Sequence, residues 1–468
     1  MKKVLAFDFG ASFGRAILAK YNNGELTYEE VHRFENIPIE ENGSVYWDFD
    51  TLYKEVLTGI SLAKDFDSIG FDTWGVDYVL IDKQGELIGK PFHYRDLRTE
   101  KGMKKVFSKI TEKELYQQTG NQIISFNTLF QLVETDTSKA DKLLFMPDLF
   151  IYKLTGIAQC EMSIASTSQM MDLNNKTWNK EILSKFNIPE KLLLPPQASG
   201  RVVGNYKNAK VVAVAGHDTQ CAIAALPTTD EDVLYLSCGT WSLLGTELNN
   251  PMLSEQSYEL NLSNEIGANG KINYLKNIIG LWLAQESKRA FKKRGEVYSF
   301  AELADLALQV EPLRYIIDPD SPEFTVAGDM PSRIQEFCER TGQGKPETVG
   351  EIMRTIYDSL ALKYRYVVEQ IEQITGKNYP VLHIIGGGAN AKILCQLTAN
   401  SLNKEVIAGP SEATAIGNVL TQLVALGEIK DLNEGRKWLA KTEKTCHYSP
   451  QNTSAWQKAY AYFKECIV

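Results

Sequence analysis

Residues 4–19, VLAFDFGASFGRAILA, return in outline at residues 233–245, VLYLSCGTWSLLG. Each is an apolar run, a tight turn carrying glycine and a hydroxyl, and a second apolar run, which is the pattern of a β-hairpin. Glycine at such a turn leaves backbone N–H groups free to close on phosphate oxygens, and in the first copy Ser12 and Arg15 add a hydroxyl and a charge. Either hairpin alone reads as an ordinary glycine turn. The pair says more, because Gly239 follows Gly10 by 229 residues, close to half of the 468-residue chain. A repeat at half length predicts two similar domains, each contributing one phosphate-gripping hairpin.

Composition agrees with two large domains rather than one core. The chain is 44% hydrophobic, 23% charged and 10% aromatic, an ordinary globular balance. Lys and Arg total 50 against 59 Asp and Glu, a formal net charge of -9 with no extended basic run. Nucleic acid and anionic membrane are therefore not expected partners. A phosphate ligand would have to be held locally, by backbone N–H groups, a few cations and a metal ion. Seven cysteines (160, 221, 238, 338, 395, 446 and 466) form no C-x-x-C pair and are odd in number, as expected of reduced thiols in a cytoplasmic protein. Lys2-Lys3 and the apolar Val4–Phe7 resemble the start of a signal peptide, but Asp8 breaks the run. No stretch approaches the ~18–20 apolar residues of a membrane span. A soluble chain, monomeric or a small homo-oligomer, is expected.

Along the chain, Asp67–Ile81 (DSIGFDTWGVDYVLI) reads as a strand with Thr73–Asp77 set into it, where Gly75 lets a ligand approach the backbone. Tyr94–Thr99 and Phe126–Leu129 are polar-aromatic clusters suited to a polyol or to surface loops. Beyond Pro251 the pattern loses regularity. It returns in Ile352–Ile374, where Ile352, Ile356, Leu360, Tyr364, Val367 and Ile371 share one helical face. A strand at Val381–Ile385 then ends in Gly386-Gly387-Gly388-Ala389-Asn390 before a helix at Ile393–Leu402, a shelf on which a flat ring or a phosphate can lie. There is no G-x-G-x-x-G and no G-x-x-x-x-G-K-[ST], so neither a dinucleotide Rossmann fold nor a P-loop is supported. Glu412–Val419, with its small residues, reads as a closely packed helix.

Near the middle, Val211–Ala225 (VVAVAGHDTQCAIAA) reads as a buried strand, a polar cluster and a helix start. Strand ends of an α/β sheet are where reactive side chains project. Asp218 is either a helix cap or a catalytic carboxylate; the two hairpins favour the second, since phosphoryl transfer needs a base near the attacking hydroxyl.

Together FDFGASFGR (7–15), IGFDTWGVDYVLID (69–82), YRDLRT (94–99), FNTLFQL (126–132), MPDLFIYKLTG (146–156), GHDT (216–219), SCGTWSLLG (237–245), LKNIIGLWLAQE (275–286) and HIIGGGAN (383–390) resemble the FGGY family of carbohydrate kinases, in the actin-like ATPase superfamily. The match runs in order from Val4 to about Pro450. The resemblance implies an α/β fold of two ribonuclease-H-like domains around a central cleft: residues 1–226 with the sugar and the first phosphate loop, residues 227–468 with ATP. It implies ATP-dependent phosphorylation of L-rhamnulose at O1 in rhamnose metabolism, with L-fuculose or D-xylulose as alternative ketoses and an actin-like ATPase without a sugar substrate as the alternative class. Carried over by position, Ala11, Ser12, Phe13, Gly14, Arg15, Thr240, Gln285 and Gly387 are implied ATP contacts. Gly75, His217, Asp218, Thr219 and Asn277 are implied substrate contacts, Asp218 is the implied catalytic base, and Asp8 is the implied Mg²⁺ residue, acting through water. Phe13 and Cys238 depart from the small hydroxyl residues expected there, which removes side-chain hydroxyl help but leaves the backbone donors.

Overall fold

The computed structural model describes residues 1–22 and 24–468. The chain forms two compact units: Met1–Thr229 with Glu247–Tyr274 and Ala413–Thr442, and Asp230–Thr246 with Leu275–Glu412 and Glu443–Val468.

In the first unit, strands β1 (Lys2–Phe9), β2 (Phe13–Asn22), β3 (Glu25–Glu35), β4 (Ser68–Thr73), β5 (Arg201–Tyr206) and β6 (Ala209–Ala213) form one sheet in the order β5-β6-β4-β1-β2-β3. β1 and β2 are the antiparallel hairpin read from the sequence, with Asp8 opposite Arg15 and Phe9 opposite Gly14. β4 lies parallel to β1, β6 parallel to β4, and β5 returns antiparallel at the edge. Alternation along β1 sends Phe7 and Phe9 to one face, where they pack with Phe71 and with Phe150 of the helix Met146–Thr155. The Phe9 and Phe150 rings stack with centroids 4.6 Å apart. Burying each such ring contributes about 1.5–3 kcal/mol. On the other face the helix Ala413–Leu426 docks through amides: Gln422 Nε2 donates to the Leu5 carbonyl and Ser68 Oγ donates to Gln422 Oε1. Its small residues let the helix Asp218–Ala224 pack closely against it, since a Cβ on Gly417 would meet the Cys221 carbonyl.

In the second unit the same plan returns. Strands β7 (Leu234–Cys238), β8 (Trp241–Leu248), β9 (Ile272–Ile279), β10 (Val381–Ile385), β11 (Glu405–Ala408) and β12 (Cys446–Tyr448) form one seven-stranded sheet with the strand Ser263–Ile266, in the order Ser263–Ile266, β9, β8, β7, β10, β11, β12. The hairpin β7/β8 is antiparallel, β10 and β11 add in parallel, and β12 is an antiparallel edge. The half-length repeat in sequence is thus a repeat of sheet topology, and the fold is mixed α/β. The long helix spans Val349–Thr375, opened by a capping box of Thr348 and Glu351 and closed by left-handed Gly376. Its residues Ile356, Leu360, Tyr364, Val367 and Ile371 are fully buried, as their spacing required.

Two expectations change. Asp67–Ile81 is two strands, not one: β4 stops at Thr73, and Tyr78–Ile81 pairs instead with Lys142–Phe145. The break lies at Val76, whose φ of 65° no extended strand can carry. The stretch after Pro251 is also regular, with strands Ser263–Ile266 and β9 and helices Trp282–Lys293, Phe300–Leu308 and Met330–Arg340. Buried polar residues hid it: Asn264, Glu265 and Asn273 interrupt the apolar signal yet are 0–4% exposed.

Candidate active site

In the first unit, β1 delivers Asp8 to the sheet's end and the hairpin turn follows. The turn is tied down on both sides: Gly10 N–H donates to the Phe13 carbonyl (2.9 Å), Asn36 N–H donates to Ser12 O (3.1 Å) and Asn36 Nδ2 donates to Gly10 O (3.0 Å). Ser12 and Phe13 are exposed, Ala11 is half-buried, and Gly14 is required by Phe34, whose ring lies 2.3 Å from where a Cβ would stand. Arg15 forms a 2.5 Å ion pair with Asp8.

Near the end of β4, Asp72 stands level with Asp8 on the adjacent strand. Asp72 Oδ2 accepts from Asn418 Nδ2 (2.6 Å), while Oδ1 is buried without a hydrogen-bond partner among the described residues. Burial, and then the charge of Asp8, holds its carboxyl well above the usual range. The Trp74–Asp77 turn that follows stores strain, and its neighbours over-determine it. Val76 N–H donates to Thr167 Oγ1 (3.1 Å), and Thr128 Oγ1 donates to Val76 O (2.6 Å). Asp77 Oδ2 gathers Trp47 Nε1 (2.6 Å), Trp74 Nε1 (3.0 Å) and Tyr94 N–H (3.1 Å), and Oδ1 takes Gln131 Nε2 (2.7 Å). Burial raises the Asp77 pKa to about 6 against the pull of these donors. The two polar-aromatic clusters of the sequence thus brace this turn, and Gly75 stands at its half-buried tip.

His217 and Asp218 follow β6. His217, not Asp218, caps the helix α1 (Asp218–Ala224); Asp218 is its first residue and accepts from Thr219 N–H at 2.6 Å. Thr219 Oγ1 also turns to Asp218 (3.3 Å). His217 Nε2 lies 3.4 Å from Asp218 Oδ1 and 3.5 Å from the position a Cβ on Gly75 would take. Gly75, His217, Asp218 and Thr219 are therefore neighbours. The Asp218 side chain is 29% exposed, yet the protein around it desolvates the charge and pushes the pKa up to about 6, with His217 opposing and Asp8 adding to the rise. A carboxylate with that proton affinity and an open side can accept a proton near neutral pH.

In the second unit, Gly239 N–H donates to Trp241 O (2.8 Å), the closure seen at Gly10. Gly280 and Leu281 N–H groups donate to Thr240 O and Gly239 O (3.1 and 3.0 Å) and fix the turn. Thr240 Oγ1 meets Gln285 Oε1 at 3.3 Å, on the first turn of α2 (Trp282–Lys293). Beyond β10, Gly386 takes φ 80°, Gly387 is exposed with nothing near its missing Cβ, and Gly388 sits against Cys238, whose Sγ is 2.2 Å from the Cβ that a larger residue would bring. Asn277 is half-buried on β9. Cys238 is 1% exposed, and burial pushes its thiol up to about 11, so it is neutral at physiological pH.

Sequence reasoning missed the buried acids behind this site. Glu161 Oε2 accepts from Gly216 N–H (2.8 Å), and Glu265 Oε2 stands 3.1 Å from His217 Nδ1. Neither lies in a motif. Among the described residues, no group of three or more His, Cys, Asp or Glu is able to hold a metal and no helix is long and apolar enough to cross a membrane.

Comparison with known proteins bears on the family and the fold. Residues 3–227 match the N-terminal domain of the FGGY family of carbohydrate kinases and residues 234–426 match its C-terminal domain. A rhamnulokinase of Bacteroides thetaiotaomicron is 40% identical, with 99% of each chain covered, and one of Ligilactobacillus salivarius is 39% identical, with 100% of this chain and 99% of that one covered. Among solved structures, a ligand-bound xylulose kinase from Lactobacillus acidophilus superimposes with a TM-score of 0.80 at 16% identity over 99% of this chain and 97% of that one. Plasmodium falciparum glycerol kinase with ADP gives 0.77 at 16% identity over 99% and 97%. These structural likenesses speak to the fold.

Proposed function

The chain belongs to the FGGY family of carbohydrate kinases, and on that footing we propose that it transfers the γ-phosphoryl group of ATP to O1 of L-rhamnulose, giving L-rhamnulose 1-phosphate and ADP in L-rhamnose catabolism. The observation that carries the chemistry is Asp218, a half-open carboxylate with a pKa near 6 beside His217, Thr219 and the Gly75 turn. The choice of ketose follows the relatives' shared name.

As O1 attacks phosphorus in line, its proton passes to Asp218, the new O1–P bond forms, and the bond to ADP breaks. General-base help of this kind contributes roughly 10²–10⁴-fold. Gly75, His217, Thr219 and Asn277 orient the ketose. Ala11–Arg15, Thr240, Gln285 and Gly387 hold ATP, largely through backbone N–H groups. In this reading residues 1–226 serve the sugar and the first loop, and residues 227–468 serve ATP.

Magnesium fits as a companion of the nucleotide. Mg²⁺ keeps several waters and needs only one or two carboxylates besides the substrate's phosphates. Asp8, near the end of β1 and opposite Arg15 across the hairpin, is one carboxylate of that kind. Bound there, the ion would neutralise developing phosphate charge, with Asp8 holding it through water. The enzyme then works in the cytoplasm, as a monomer or small homo-oligomer, on a diffusible ketose.

The test is ADP release from MgATP with L-rhamnulose, L-fuculose and D-xylulose in parallel, and hydrolysis without sugar as control. L-Rhamnulose should give the highest kcat/KM. A higher value for another ketose reassigns the substrate, and equal ADP release with and without every sugar overturns the kinase reading.

A further inference from the structure

Behind the His217–Asp218 pair stands Glu265, on the strand Ser263–Ile266 and 4% exposed. Its Oε2 faces His217 Nδ1 at 3.1 Å and accepts from Gln220 Nε2 at 2.9 Å. Gln220 is held in turn by Asn273, whose Nδ2 donates to Gln220 Oε1. Ser263 Oγ donates to the second carboxylate oxygen, Oε1, at 3.4 Å. The far nitrogen of the imidazole, Nε2, points to Asp218 Oδ1 at 3.4 Å and toward Gly75. Carboxylate, imidazole and carboxylate therefore stand in line, with only the last of them open to solvent.

Resting on the kinase reading above, we propose that Glu265 is a positioning residue for phosphoryl transfer: it fixes the His217 ring so that Nδ1–H faces Glu265 and Nε2 faces Asp218 and the ketose. A buried imidazole can turn over its ring or exchange its tautomer, and one strong acceptor at Nδ1 removes both freedoms. Asp218 then always meets the same nitrogen. The buttress is firm because Glu265 is itself held by Gln220 and Ser263.

The charge consequence follows from every group that faces this line. His217 is met by Glu265 from its strand, by Asp218 from α1 and by Glu161 ahead of the helix Met162–Ala165; Asp218 faces Asp8 on β1 and Asp72 on β4, with Arg15 paired to Asp8. Burial lowers the His217 pKa, but the hydrogen bond and charge of Glu265, then Asp218 and Glu161, outweigh it and the net shift is upward. Glu265 thus favours the protonated ring beside Asp218, and that charge restrains the rise of Asp218's own pKa. Replacing Glu265 by the isosteric, neutral Gln removes the charge that favours the protonated ring. Asp218 then binds its proton more tightly, and the acid limb of the rate profile moves up.

The experiment compares wild type, Glu265→Gln and Glu265→Ala in two readouts. In the rate profile, Glu265→Gln should move the acid limb of kcat/KM up by about one pH unit, the lower end of the effect of an opposite charge within ~4–6 Å. That is roughly a fivefold loss at pH 6 with little loss at pH 8.5, whereas Glu265→Ala, which also frees the ring, should lose rate across the range. The second readout is ¹⁵N-edited NMR of the five histidines, with His217→Asn assigning the signal. Wild-type His217 should carry Nδ1–H, and its titration should move down in Glu265→Gln. A pH profile and a His217 titration unchanged in Glu265→Gln overturn the proposal, as does a wild-type ring protonated only at Nε2, a result that needs no folded variant. Inactivity of wild type toward every ketose strikes the kinase reading instead, and the NMR result still decides whether Glu265 holds the ring.

Discussion

The two sheets end their corresponding strands in opposite chemistry. In the first unit, β1, β4 and the segment after β6 deliver Asp8, Asp72 and His217–Asp218, with Arg15 across the hairpin. In the second, β7 ends in neutral Cys238 and β10 in Gly386–Gly388. A glycine N–H closes the turn in both, from Gly10 onto the Phe13 carbonyl three residues on at 2.9 Å and from Gly239 onto the Trp241 carbonyl two residues on at 2.8 Å. The repeat therefore preserves a glycine-closed turn while the side chains around it differ. Carboxylates would repel a polyphosphate, but they are required where a proton must be taken; glycines do no chemistry, but they let a ligand reach the backbone.

Removing charge from the first sheet should do the most damage. Asp218→Asn is expected to lower kcat at least ~10²-fold, the lower bound for general-base catalysis, with a modest change in ketose KM. Its effect on stability should have the opposite sign. The Asp218 pKa is raised from 3.8 to about 6 on folding, so the folded state favours the protonated form. Above pH 6 the fold bears an ionised, desolvated carboxylate that the unfolded chain keeps in water. Thermal melts should show the Asn variant more stable than wild type at pH 7–8, with the difference gone below pH 4. Near-full turnover in this variant breaks the contrast between the sheets at its root.

Next in size is the pH dependence of the wild-type enzyme. The base must be unprotonated to act, so kcat/KM for the ketose should fall as pH drops through about 6, approaching tenfold per unit below it. A profile flat to pH 4.5 would place the proton acceptor elsewhere. The neutral shelf invites a smaller perturbation. Gly388→Ala puts a methyl 2.2 Å from Cys238 Sγ, and overpacking of this kind costs about 1–3 kcal/mol. Melting temperature should fall and ATP KM should rise while ketose KM holds. Adding Cys238→Ala should recover part of the lost stability, which double-mutant melts will show.

How much of this could be read from the chain depended on how far each signal travels. Hairpins at Gly10 and Gly239, the strand Val381–Ile385 and the helix around Leu360 were legible, because each is a local pattern of period 2 or 3.6 closed by turn or cap residues. The GHDT cluster was legible for the same reason, as polar residues between two apolar runs. Glu161 and Glu265 were not. They reach Gly216 and His217 across 55 and 48 residues, and in the sequence they are two of 59 acidic side chains with nothing local to set them apart. Nor does the sequence announce that Glu247–Tyr274 and Ala413–Thr442 group with the first unit. Val76 misled in the other direction: a β-branched residue in an apolar run argues for extended backbone, and only the surrounding hydrogen bonds from Thr128, Thr167 and the Asp77 knot hold it at positive φ.

The smallest effect is expected where the sequence raised a doubt, at Cys238. A small hydroxyl residue was expected there, so Cys238→Ser would restore it, and if that hydroxyl normally grips phosphate the variant should bind ATP more tightly. The structure argues otherwise. Cys238 Sγ packs against Gly388 and receives a weak hydrogen bond from Ser242 Oγ at 3.8 Å, and that hydroxyl also bonds Tyr364 Oη at 2.7 Å. At 1% exposure the position faces the unit's interior, whereas Phe13, the matching departure in the first hairpin, is 42% exposed. Cys238→Ser should therefore leave ATP KM and kcat within roughly threefold, less than 1 kcal/mol on the transition-state scale, and lower stability by about 1–3 kcal/mol, because it buries a hydroxyl where the thiol packs as a small hydrophobe. A tenfold fall in ATP KM would show that a hydroxyl at this position reaches the phosphates.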